Sequence, residues 1–295
     1  MASIMGFPGN ILRSCQARVG TALSEKWHLE RLLGVGGMAA VYGAVHRTGS
    51  RAAIKILHPQ LAADEAMRGR FLREAYAANR VKHPGAVSVL DDDVAPDGSV
   101  FLVMELLEGE TIEARWRNQG KHMPLLEVLW VADRTLDVLA EAHAQGIVHR
   151  DVKPENLFFT TSGDLKLLDF GIARLLESSG ATRTGTIMGT PPFMAPEHAR
   201  GQWKNVDAQS DLWSLGATMF TLLSGRYVHE AETANERLLA AMTQAAPSIA
   251  TLLPSLPSQV IQLVDVALAF EKDRRWPSAR AMQERARDAY AAAST

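Results

Sequence analysis

From Trp27 to about Glu105 the apolar residues fall in short runs broken by turn residues, a pattern of strands. Val41-Tyr42-Gly43-Ala44-Val45 and Ala52-Ala53-Ile54-Lys55-Ile56-Leu57 flank Thr48-Gly49-Ser50 and predict a hairpin. A helical stretch follows from Asp64 to Lys82, and two more strands surround Asp97-Gly98, the second being Val100 to Met104. After Gly109 the period changes. Pro124 opens a long helix in which Leu125, Leu129, Ala132, Leu136, Leu139 and His143 recur at spacings of three or four. Phe158-Phe159 and Leu165-Lys166-Leu167-Leu168 flank Ser162-Gly163-Asp164 as a second hairpin, and helical segments dominate beyond residue 205. Residues 1–26 mix Gly, Pro and polar residues without clear periodicity and read as an N-terminal arm.

The pattern is that of an α+β, bilobal chain. A small strand-rich part (27–105) is joined through a connector at 105–109 to a larger helical part (110–290), with 291–295 as a tail. A cleft between two such lobes is a common place for a ligand. The composition, 47% hydrophobic and 22% charged over 295 residues, excludes a disordered or coiled-coil chain. With 31 basic and 33 acidic side chains the net charge is −2, which argues against nucleic acid or an anionic membrane as a partner. A single cysteine, Cys15, excludes an intrachain disulfide and a cysteine-rich zinc site. The longest apolar run, Leu212 to Leu223, is interrupted by Ser214 and Thr218 and falls short of the ~20 residues that span a bilayer. The expectation is a soluble, cytoplasmic domain with no membrane segment.

Three pieces of chemistry stand out. The first is Leu33-Gly34-Val35-Gly36-Gly37-Met38-Ala39-Ala40-Val41. It lacks the Gly-Lys-Ser/Thr ending of a Walker A loop, and strand-like residues follow it where a dinucleotide fold needs a helix. What remains is a glycine-rich hairpin turn able to lay backbone N–H groups over phosphates. The second is Lys55, a charge inside an apolar strand, with Glu74 near the apolar stripe of the following helix. A pair between them would offset the cost of burying either charge and hold the ammonium toward phosphate oxygens.

The third is His149-Arg150-Asp151-Val152-Lys153-Pro154-Glu155-Asn156, followed by a hairpin and Asp169-Phe170-Gly171. Two carboxylates in this order suit phosphoryl transfer: one accepts the nucleophile's proton while the other holds a divalent cation. Asn156 adds a neutral oxygen of the kind Mg²⁺ prefers. A solvated polar loop is a poor account of the whole ordered set.

On these residues the chain resembles the protein kinases, specifically bacterial Ser/Thr kinases of the eukaryotic-like (Hanks) type, over about 27–290. The resemblance implies a bilobal kinase fold and ATP with Mg²⁺ (or Mn²⁺) as the nucleotide and metal. Gly34, Gly36 and Gly37 match the glycine-rich loop, with Leu33, Val41 and Ala53 beside the nucleotide. Lys55, anchored by Glu74, would contact the α- and β-phosphates, and Asn156 and Asp169 would hold the metal. Asp151 would orient the acceptor hydroxyl and take its proton, and Lys153 would stabilise the transferring phosphoryl group. Met104 resembles the gatekeeper, with the backbone of Glu105 and Leu107 holding adenine. His149, Arg150, Phe170, Glu197, Asp211 and Arg275 read as structural supports, the last pairing with Glu197. Ala39 departs from the pattern where a third loop glycine is frequent.

The lysine two places after Asp151 implies Ser/Thr rather than Tyr acceptors on protein substrates. Arg150, next to Asp151, implies control by activation-segment phosphorylation, for which Ser178, Ser179, Thr182, Thr184 and Thr186 are candidates. A homodimer would serve autophosphorylation in trans, and bacterial signalling would be the setting. Two other classes fit the same fold: a pseudokinase scaffold, disfavoured because Lys55, Asp151 and Asp169 are all present, and a small-metabolite kinase, for which the Ala195-Pro196-Glu197 segment is not expected.

Overall fold

The computed structural model describes residues 9–170 and 191–294. The N-terminal third builds one antiparallel sheet from β1 (Ala22–Leu23), β2 (Trp27–Val35), β3 (Ala39–His46), β4 (Arg51–Leu57), β5 (Val89–Val94) and β6 (Val100–Met104). The spatial order is β1-β2-β3-β4-β6-β5, so β4 is an interior strand. Its near-continuous apolar run follows from burial on both faces. Ile54 and Ile56 join Tyr42, Ala44, Phe101 and Val103 on one face. Leu57, Leu102 and Ala39 meet Met67, Phe71 and Ala75 of helix α3 (Glu65–Arg80) on the other. The Asp64 carboxylate caps α3 by accepting the N–H groups of Ala66 and Met67, which satisfies two of the four orphan donors at the helix start.

The segment read as an arm is part of this lobe. Residues Gly9–Ala17 form helix α1, and Ile11, Leu12 and the buried Cys15 pack on the outer face of the sheet. The Tyr42 hydroxyl donates to the Cys15 carbonyl at 3.0 Å, and the Arg18 guanidinium donates to Asp97 at 3.0 Å and Ser99 at 2.8 Å. Such a short helix is marginal alone and forms because it docks, so its periodicity is too brief to read. Deleting residues 1–17 uncovers this face. Ile11 and Leu12 are partly buried, so with aliphatic side chains worth ~1.5–3 kcal/mol each when fully buried the pair contributes about 1.5–3 kcal/mol, and the melting temperature is expected to fall by ~3–12 °C. An unchanged unfolding midpoint would show that α1 contributes nothing to the lobe.

The larger lobe holds α4 (Ile112–Asn118), α5 (Leu125–Ala144), and a small sheet of β7 (Gly109–Thr111), β8 (Leu157–Thr160) and β9 (Leu165–Leu167). Helices follow at Pro196–Ala199, Ala208–Ser224, Ala234–Thr243, Ser258–Ala267 and Ala279–Ala293. Leu129, Leu136 and Leu139 of α5 share one core with Trp213, Phe220, Val264 and Met282. The two lobes are pinned together through the loop after α3. The Leu167 N–H donates to the Gly85 carbonyl at 2.7 Å. Gly85 lies so close to α5 that a Cβ there would sit 2.5 Å from Val138. No helix among the described residues is long and apolar enough to cross a membrane.

Candidate active site

The glycine-rich turn joins β2 to β3. Gly34 pairs with Val41 at the end of β2, and Leu33 sits at a bulge in that ladder. Ala39 opens β3 opposite Leu57 and does not adopt positive φ, so the missing third glycine costs the backbone nothing here. Register places Lys55 between Val41 and Leu102, and Ala53 opposite Met104. Lys55 is 8% exposed, which rules out a lysine facing water. Its ammonium forms an ion pair with the Asp169 carboxylate, 114 residues away. Glu74 lies on α3, but its side chain is outside the described residues, and so is the pairing with Lys55 expected from sequence.

Below the sheet, Asp151, Lys153 and Asn156 form one hydrogen-bonded unit. Lys153 Nζ lies 2.8 Å from Asp151 Oδ2. The Asn156 amide nitrogen donates to the Asp151 carbonyl at 2.8 Å and to its Oδ2 at 2.9 Å. Those two donations orient the amide and leave Oδ1 as the oxygen that can face a cation. Burial by itself would lower the pKa of Lys153, yet the Asp151 carboxylate beside it holds it above the ordinary lysine value. Asp169 carries φ 57° and Arg150 φ 69°. Non-glycine residues in this region cost about 1–2 kcal/mol each and persist where the surroundings over-determine them.

The surroundings of Arg150 are explicit. Asp211, fully buried, accepts the backbone N–H groups of His149 at 2.8 Å and Arg150 at 2.7 Å, and Nε2 of His143 at 2.8 Å. Burial pushes this carboxyl up, but the donors outweigh it and hold its pKa low. His149 accepts the Asp151 N–H at Nδ1 (3.3 Å), so Nε2 carries the hydrogen and donates to the Leu168 carbonyl at 2.8 Å. Its ring meets Phe170 edge-on at 4.8 Å. Further along, Arg275 makes a two-pronged bond to Glu197 at 2.8 and 2.9 Å, and Ser210 donates to the same carboxylate at 2.6 Å.

At the connector, the Glu105 side chain accepts Lys166 Nζ at 2.9 and 3.0 Å and the Ser88 N–H at 2.8 Å. Its own N–H donates to the Ser88 carbonyl at 3.1 Å. The Glu105 carbonyl is therefore the group of this residue that can serve an adenine amine, and Leu107 follows on the same connector. The tie from Glu105 to Lys166 was not legible in sequence, since 61 residues separate the pair. His143 and Ser210 were likewise missed as carboxylate partners, because their spacing fits ordinary helix interiors. Gly171, Ser178, Ser179, Thr182, Thr184 and Thr186 lie outside the described residues.

A small antiparallel sheet with helix α3 over a helical lobe, with acid, amide and lysine side chains gathered where they meet, defines a bilobal kinase. The chain belongs to the protein kinase family: the family model for the protein kinase domain matches residues 27–286. It is 36% identical over 266 residues to the serine/threonine-protein kinase PknA of Mycobacterium tuberculosis, an alignment covering 88% of this chain and 60% of that protein. It is 34% identical over 270 residues to PrkC of Bacillus subtilis, covering 90% of this chain and 40% of that protein. The chain thus spans about 60% of the first of these relatives and 40% of the second. The crystal structure of the Mycobacterium tuberculosis PknI kinase domain matches with a TM-score of 0.71 and 27% identity, over 92% of this chain and 98% of that one.

Proposed function

We propose that this chain transfers the γ-phosphoryl group of ATP, with Mg²⁺, to Ser or Thr hydroxyls of protein substrates. The observation that carries the reading is the Asp151–Lys153–Asn156 unit, gathered at the junction of the lobes with the Lys55–Asp169 pair. Asp151 accepts the hydroxyl proton as that oxygen bonds to phosphorus and the bond to the β,γ-bridging oxygen breaks. Lys153, kept cationic by Asp151, follows the charge on the transferring group, and Lys55 holds the α- and β-phosphates. Asn156 Oδ1 and Asp169 are a hard-oxygen pair that fits Mg²⁺, completed by phosphate and water. When bound, the ion neutralises charge developing on the phosphates.

Labelled phosphate transfer to the chain itself and to a generic basic protein tests this, beside Asp151→Asn and Lys55→Met. A wild-type signal no higher than the controls defeats it. Control by the segment after Asp169 extends the proposal: Thr184 or Thr186 is autophosphorylated, in trans within a homodimer, and its phosphate pairs with Arg150. Phosphopeptide mapping of active protein is expected to find phosphate within 177–190, and an unmodified segment would sink this control. Bacterial signalling is the setting proposed here, in keeping with the bacterial Ser/Thr kinases the chain resembles, and the cytoplasm is its proposed location.

A further inference from the structure

Among the buried polar side chains outside the reacting centre, His58 joins neither the Asp211 nor the Glu197 network, and its imidazole makes no helix-cap bond. It follows β4, three residues after Lys55, and precedes the short helix α2 (Pro59–Ala62). It is 7% exposed. Its Nε2 lies 2.9 Å from the carbonyl oxygen of Gly36, inside the glycine-rich turn. A carbonyl only accepts, so Nε2 carries the hydrogen and donates.

The same residue holds the turn a second time, its backbone N–H donating to the Met38 carbonyl at 2.8 Å. His58 is itself fixed, because its carbonyl accepts the N–H groups of Leu61 and Ala62, both at 2.9 Å. The residue lines a cavity of about 70 Å³ beside α1, shared with Ile11, Cys15, Arg18 and Tyr42.

We propose that His58 is a positioning residue for the glycine-rich turn, resting on the reading of that turn as the cover of ATP phosphates. Phosphate binding through backbone N–H groups needs those groups at fixed positions. A turn with glycine at 34, 36 and 37 has more freedom to lose than other sequences. The imidazole hydrogen bond restrains it before nucleotide arrives. The prop is fixed by backbone bonds to Met38 and to the first turn of α2, so it does not depend on the nucleotide to form.

His58→Phe keeps the ring volume and removes the donor, whereas His58→Gln restores a donor of similar reach. For His58→Phe we expect KM for ATP and the Kd for ADP to rise about 3- to 10-fold, the worth of one hydrogen bond. The kcat at saturating ATP stays within about twofold, and so do all three constants in His58→Gln. Amide hydrogen exchange over residues 34–39 is faster in His58→Phe and of wild-type rate in His58→Gln. Unchanged exchange and Kd in His58→Phe would overturn the proposal, as would equal impairment of both variants together with a lowered melting temperature. A wild-type chain that binds no ADP would defeat the ATP reading instead, and the exchange comparison would still decide the role of His58.

Discussion

Asp151→Asn is expected to lower kcat for phosphoryl transfer by about 10²- to 10⁴-fold, the usual worth of a positioned general base. The substitution is nearly isosteric. The asparagine side-chain oxygen can still accept the Asn156 amide N–H that now reaches Oδ2 at 2.9 Å, so the loop geometry is retained. What is lost is the negative charge: the amide cannot take the hydroxyl proton, and Lys153 loses the partner that keeps its pKa high. In the proposed reading Lys55 and the glycine-rich turn, both in the other lobe, hold the nucleotide, so the Kd for ADP is expected to stay within about threefold. Steady-state kinetics, ADP titration and thermal unfolding on the same preparation separate these effects. A kcat within tenfold of wild type at unchanged melting temperature would remove Asp151 from the proton-accepting role.

The elements that position this site were legible because local patterning and turn chemistry agree with the tertiary fold. The hairpin around Gly49, the helical stretch that begins at Asp64 and the long helix after Pro124 each announce themselves within a few residues. The ordered residues from His149 to Asp169 announce a site for the same reason. Two things were not legible. Helix α1 is too short to show a period and exists by docking on Tyr42 and its neighbours. Long-range partners carry no local signal: the contact between Lys55 and Asp169 spans 114 residues and is delivered by the fold from the other lobe. The link from His58 to Gly36 is of this kind too, since nothing in a histidine before a proline marks a carbonyl 22 residues earlier.

Removing the charge of Arg275 should destabilise the larger lobe more than any other single change in the support network. Its side chain is wholly buried. Its N–H groups are matched by the Glu197 carboxylate and the carbonyls of Ala269, Gln209 and Phe270. Arg275→Met leaves Glu197 buried with only the Ser210 hydroxyl and its local backbone, a loss of about 3–5 kcal/mol. In a chain of this size that is about 6–20 °C in melting temperature. The effect must depend on pH with a definite sign. Burial alone would raise the Glu197 pKa, but the Arg275 guanidinium and the Ser210 hydroxyl outweigh it and hold the folded value low. Its stabilisation is therefore complete above the unfolded carboxylate pKa of ~4.3 and is lost as pH falls through the lower folded value. In the variant Glu197 has no cation to keep it ionised, so the gap between wild type and Arg275→Met is widest near neutrality and narrows in acid. Paired unfolding curves from pH 7 to pH 3 measure it, and a gap constant across that range would mean the ion pair contributes no net stability. The consequence reaches catalysis through one helix. Ser210, which bonds Glu197, adjoins Asp211, which holds the N–H groups of His149 and Arg150. A loosened Glu197 thus frees the strained backbone on which Asp151 stands, and kcat is expected to fall in step with the lost stability.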